Sequence, residues 1–176
     1  MVGEVFADGS ECDLCVYDCP CARRIMEVKN VMSLRDKTNA LYNAAASPST
    51  TPEEMKSIID GLKSDKEFSE TGALITALQG ALHIALMTGR LGDAESRFEV
   101  IKVIADAEAE NYGGEYFPTL LIQAVFHDNP EYIIRKIIEL GVDVNAIDCE
   151  KRTAMDYATN NDEVRKILDE AMKKGE

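Results

Sequence analysis

Apolar residues recur along most of this chain at helical spacing, broken at short intervals by polar, glycine- or proline-bearing turns. Met55, Ile58, Ile59 and Leu62 fall at i, i+3, i+4 and i+7 and predict an amphipathic helix. Its start is written just ahead: Thr51 is a good N-cap, Pro52 suits the first helical position, and Glu53 and Glu54 complement the dipole. Phe98, Ile101, Val103, Ile104 and Ala107 mark a second helix. Val164, Ile167, Leu168, Ala171 and Met172 share one face of a last helix over 162–174, opposite Glu163, Arg165, Lys166, Asp169 and Lys173. Gly72 to Leu78 is helical in composition and lengthens the start of the helix holding Ala81 to Ala85, which Gly89 is expected to close. Between these lie a charged connector from Ser64 to Thr71, an enlarged turn from Arg90 to Ser96, and a glycine-permitted turn from Asn111 to Tyr116. The expected fold class is all-α.

The most regular stretch runs from Thr119 to Leu168. It predicts a short helix over Thr119–Ala124, a break at His127-Asp-Asn-Pro130, and an apolar helix over Tyr132–Leu140. Gly141 then stands where a left-handed cap needs no Cβ. Val142-Asp-Val-Asn145 suits a loop reaching away from the helices, and Arg152 to Ala158 restarts the cycle. Gly141-Val-Asp-Val-Asn145 and Ala81-Leu-His-Ile-Ala85 resemble the ankyrin repeat, whose pattern contains Thr-Pro-Leu-His-x-Ala and Gly-Ala-Asp-Val-Asn. Thr38 to Ala45 matches the same pattern, with Leu41 as its leucine, Tyr42 at the histidine position and Ala44-Ala45 as its small pair. Leu41, Leu82, Leu121 and Met155 are then equivalent, spaced by 41, 39 and 34 residues, against a family period of about 33. The long spacings coincide with loop insertions.

The resemblance implies an ankyrin-type α-solenoid of stacked helix-turn-helix repeats with short hairpin-like loops. Its units span 36–70, 71–112, 113–146 and 147–176, after a Cys-rich segment 1–35. The one-sided last helix suits a terminal capping repeat. In the family a concave face binds proteins. Carried onto this chain, that face holds Met87 and Thr88, then Glu115, Tyr116, Pro118, Phe126 and His127, then Cys149, Glu150, Arg152, Asn160 and Asn161. Tyr116 and Phe126 are the expected anchors, since aromatic residues dominate interface energetics; the alternative for Phe126 is burial beneath the next hairpin. His83 occupies the family's polar position, where its role is structural, and His127 lies in an inter-helix turn.

Charge and cysteine change this picture at two points. The 176 residues, 45% hydrophobic, suffice for one sizeable core, and 19 Lys and Arg against 32 Asp and Glu give a net charge of −13. That excludes a nucleic-acid backbone as direct partner and favours a protein with a basic surface; an acidic mimic that blocks a nucleic-acid-binding protein is a further reading. Cys12, Cys15, Cys19 and Cys21 place four thiols within ten residues, a set able to hold zinc or an iron–sulfur cluster in a regulatory or redox role. Free thiols, adventitious disulfides and acylation compete with that reading. No signal peptide, transmembrane span, nucleophile elbow or phosphate loop is found, and the two histidines fall in separate helical units. The sequence therefore predicts a non-catalytic scaffold, adaptor or effector without a required cofactor, cytoplasmic or delivered into a host cytosol.

Overall fold

The computed structural model describes residues 32–66, 68, 72–112, 114, 116 and 119–174, and every regular element among them is helical. Among the described residues eight α-helices follow one another: α1 (Met32–Ala46), α2 (Pro52–Lys63), α3 (Ala73–Met87), α4 (Ala94–Ala109), α5 (Leu120–Phe126), α6 (Glu131–Glu139), α7 (Ala154–Tyr157) and α8 (Asp162–Lys174). A 3₁₀ turn, Glu110–Tyr112, extends α4. The expected metal ligands Cys12, Cys15, Cys19 and Cys21 lie outside the described residues.

Local chemistry sets the helix ends. At α2, Glu54 N donates to Thr51 Oγ1 (3.2 Å) and Thr51 N donates to Glu54 Oε2 (3.0 Å), a reciprocal capping box. Asp93 caps α4 by accepting from Ser96 N at 2.8 Å. Gly141 takes the left-handed conformation (φ 83°) expected of it, and its N–H donates to Ile138 O. Helix α3 has the expected early start, directly after Gly72 at φ 69°. Its end differs from expectation: Thr88 is the cap, and Gly89 serves a tight contact described below.

Helices α1, α3, α5 and α7 each touch the next in that order, as do α2, α4, α6 and α8. Each member of the first set also packs on its successor in sequence: α1 on α2, α3 on α4, α5 on α6, α7 on α8. Leu41, Leu82 and Leu121 sit fully buried on α1, α3 and α5, and Met155 on α7 is packed against the same core. Small residues line these contacts: Ala45, Ala81, Ala85, Ala124, Ala154 and Ala158 are all buried.

Two charged residues are buried with them. Arg97 of α4 is 1% exposed, and its guanidinium reaches the carbonyl ends of two helices. Nη1 donates to Ser47 O (2.8 Å); Nη2 donates to Ala45 O (2.9 Å), Ala85 O (3.2 Å) and the Thr88 hydroxyl (2.8 Å). Burial pushes its pKa down from the ordinary arginine value, but the planar fork keeps its charge at any physiological pH. Glu108, also 1% exposed, has no comparable set. Gln79 of α3 faces its carboxyl closely enough to favour the charge, yet neither oxygen meets a hydrogen-bond partner in good geometry. Burial therefore raises Glu108 to about 7.

Arg97→Met, which keeps much of the volume and deletes the fork, is expected to destabilise the fold by roughly 3–5 kcal/mol in urea unfolding. A loss under about 1 kcal/mol would mean that water satisfies those carbonyls. Glu108 acts in the opposite sense. Its folded pKa lies above its unfolded value, so the folded state holds the extra proton between pH 4.5 and about 7. Stability from this group is fully present below that window and falls, by about 3 kcal/mol in all, as pH rises through it. Glu108→Gln should thus stabilise the protein more at pH 8 than at pH 5; equal effects at both would show that the carboxyl is solvated.

Candidate functional site

The chain's two histidines, 44 residues apart in sequence, meet in the fold. His83 stands on α3 and His127 follows the last residue of α5; the contact between those helices brings His83 Nδ1 and His127 Nε2 to 3.4 Å, with ring centroids 4.7 Å apart. From His127 the row continues edge to face. Phe126 lies 5.0 Å from His127, and Tyr157, the last residue of α7, lies 5.4 Å from Phe126 at 87°. The Arg152 guanidinium then sits 4.4 Å from the Tyr157 ring centroid. Four rings and a cation from α3, from the end of α5 and the turn after it, and from α7 and the loop before it thus form a continuous ridge. Each edge-to-face pair contributes about 0.5–1.5 kcal/mol beyond its buried area, so the ridge is pre-formed rather than assembled on demand.

Electrostatics fix both ends. Burial first, then the neighbouring His83 and Arg90, lowers His127 to about 4, so its imidazole is neutral at physiological pH. Arg90 is itself tied to Asp128 at 2.9 Å. At the other end the Tyr157 hydroxyl donates to Asp148 Oδ2 at 2.5 Å, and burial with that carboxylate pushes the phenol up to about 12. Burial opposes the Asp148 charge, but the Tyr157 hydroxyl and the amides of Arg152 and Glu150 win and hold its pKa below the ordinary value.

A groove of about 320 Å³ runs beside Phe126 and Tyr157. Asn129, Ala158 and Val164 are its buried side, and Asp128, Thr159, Asn160 and Asn161 its polar side. Asn129 is anchored from behind: its Nδ2 donates to Leu86 O (2.9 Å) and Ala124 O (3.0 Å), bridging the ends of α3 and α5. That reach requires Gly89, where a Cβ would stand 1.8 Å from Asn129 Oδ1.

Of the residues expected to face a partner, Phe126, His127 and Arg152 join the ridge, and Asn160 and Asn161 line the groove. Asn161 also caps α8 through Val164 N at 3.1 Å. Phe126 is 61% exposed rather than covered by the next loop, and Met87 is 52% exposed. Glu150 is ion-paired with Arg152. The others are engaged internally. The Thr88 hydroxyl receives Arg97, and Tyr116 packs against the core while its hydroxyl donates to Asp106 Oδ1 at 2.7 Å. Cys149 is disulfide-bonded. Glu115 and Pro118 lie outside the described residues. Sequence reasoning missed Tyr157, and it missed the histidine contact. Phe126 stands five positions after its unit's reference leucine and Tyr157 only two after Met155, so aligning the units never sets the two rings side by side.

No protein-family model, curated protein or solved structure matches the chain.

Gly89→Ala is expected to cost about 1–3 kcal/mol, because Asn129 must leave its two carbonyl partners or the helix ends must part. In an Asn129→Ala background the same change should cost far less, a coupling that a double-mutant cycle of urea midpoints reads directly. Additive penalties would show that Gly89 matters for its own backbone alone.

Proposed function

We propose that this chain is a non-catalytic protein-interaction module of the ankyrin type, and that it binds a partner protein along the ridge from His83 to Arg152. The observation that carries this reading is the placement of exposed Phe126 between two edge-on rings drawn from adjoining helical units. Such a residue is costly to leave in water and contributes little to the core, whereas a rigid aromatic anchor is what an interface needs. The ordered contacts of α1, α3, α5 and α7, with an equivalent core residue on each, support the repeat reading. Short polar turns and a last helix buried on one face only support it further.

The partner's chemistry follows from charge. At −13 overall, the chain attracts a basic surface at long range, and the ridge then supplies contact at short range. Among the described residues no helix is long and apolar enough to cross a membrane.

Phe126→Ala and Tyr157→Ala should each weaken capture of the partner about tenfold or more while leaving helicity unchanged. Lys56→Ala, on exposed α2 surface, should do nothing. The comparison is affinity capture from the native source with quantitative mass spectrometry across the three variants. Capture that survives both aromatic replacements would move the interface elsewhere. Capture that collapses with salt yet ignores the rings would favour an acidic mimic.

A further inference from the structure

We propose that His83 and His127 form a two-imidazole binding site for a divalent metal of the zinc class. The chain holds two histidines, and the fold brings one nitrogen of each to 3.4 Å across the α3–α5 contact. With zinc–nitrogen bonds of about 2.0–2.1 Å, the edge of a tetrahedral site spans roughly 3.3–3.4 Å between ligand nitrogens. A metal therefore fits the separation already present, with the rings turning so that both lone pairs converge on it. The proton now shared between the rings has somewhere to go. The imidazole that donates it re-forms as its other tautomer, with the proton on its outer nitrogen, so both converging nitrogens become ligands without a change in net charge.

The surroundings permit a cation. Imidazole binds metal through an unprotonated ring nitrogen, and the 3.4 Å pairing of the two rings already requires one of the two facing nitrogens to be unprotonated. Arg90, whose charge acts against a further positive charge on His127, is ion-paired with Asp128. The chain as a whole is strongly acidic. Among the described residues no group of three or more His, Cys, Asp or Glu converges, so this is an incomplete shell. The remaining positions are left to water or to a donor side chain brought by a bound protein. The open shell is why the site belongs to the ridge: it would let a metal join two surfaces without being locked into either. Binding of metal by the chain alone does not depend on the partner reading.

The test is a zinc titration of the full-length chain, carried past the amount its cysteines take up and followed by long-range ¹H–¹⁵N NMR of the imidazoles. Only the two histidines contribute to that readout, so thiol binding is silent in it. Both rings should shift together with one midpoint. His83→Gln should weaken the response of His127 at least about tenfold, and His127→Gln should do the same to His83, because one ligand loses the effective concentration of the other. Different midpoints for the two rings, or no shift at millimolar zinc, would overturn the site in the unaltered protein. An unchanged His127 response in the folded His83→Gln variant would overturn it as well.

Discussion

The carbonyl ends of α1 and α3 come together inside the protein, and one guanidinium closes them. A helix leaves its last carbonyls without internal partners, and burying two such ends side by side would strand several acceptors away from water. Arg97 enters from α4 and reaches Ala45, Ser47, Ala85 and Thr88 at once. No carboxylate accompanies it in those contacts, yet the charge is compensated. Each helix C-terminus carries about half a negative charge, so two of them supply roughly one. The fork geometry then distributes the donors over acceptors that lie in different directions, which a lysine could not do. The same requirement recurs at the next junction with a smaller solution. Asn129 ties Leu86 O to Ala124 O, and its shorter reach is met by removing the Cβ at position 89.

How much of this was legible in the sequence depends on the range of the interaction. The capping box at Thr51, the left-handed Gly141 and the apolar faces of α2 and α8 are decided within a turn or two of chain, and the residues alone state them. Leu41, Leu82 and Leu121 could be picked out because a repeating core position demands the same side-chain volume each time. Arg97 and Glu108 could not. In sequence each is one more charged residue on an amphipathic helix. Only the meeting of the α1 and α3 ends over α4 converts Arg97 into a staple, and burial against α3 makes Glu108 a carboxyl that resists ionisation. Tyr116 is a related case: an aromatic in a turn can point outward or inward, and here its ring packs against the core while its hydroxyl donates to Asp106.

The proposed binding surface follows from the same internal satisfaction of helix ends. Since the C-termini of α1, α3 and α5 are closed by Arg97, Thr88 and Asn129, the last side chains of α3 and α5 are not needed to close them. Met87 and Phe126 stand there, each more than half exposed. Tyr157 holds the matching place at the end of α7, braced by Asp148 below and Arg152 above. Rings fixed in this way lose little conformational freedom when covered, which is the condition under which aromatic contacts yield affinity.

Charge acts on the proposed interface at a different distance. The chain is strongly acidic, but beside the ridge the charges are tied in pairs, Arg90 with Asp128 and Arg152 with Glu150. The ridge is therefore a strip of aromatic rings flanked by paired charges, with Asp148 as a third carboxylate beside Arg152. A field summed over the whole chain is felt across about one Debye length, roughly 8–10 Å at moderate salt, so it can gather and orient a basic protein before contact. Inside that distance the paired charges add little, and discrimination passes to the shape of Phe126, the groove beside it, and the two imidazoles. Long-range attraction without local excess charge lets the encounter be fast without making it indiscriminate, because a surface that is merely basic finds nothing at the ridge to pair with.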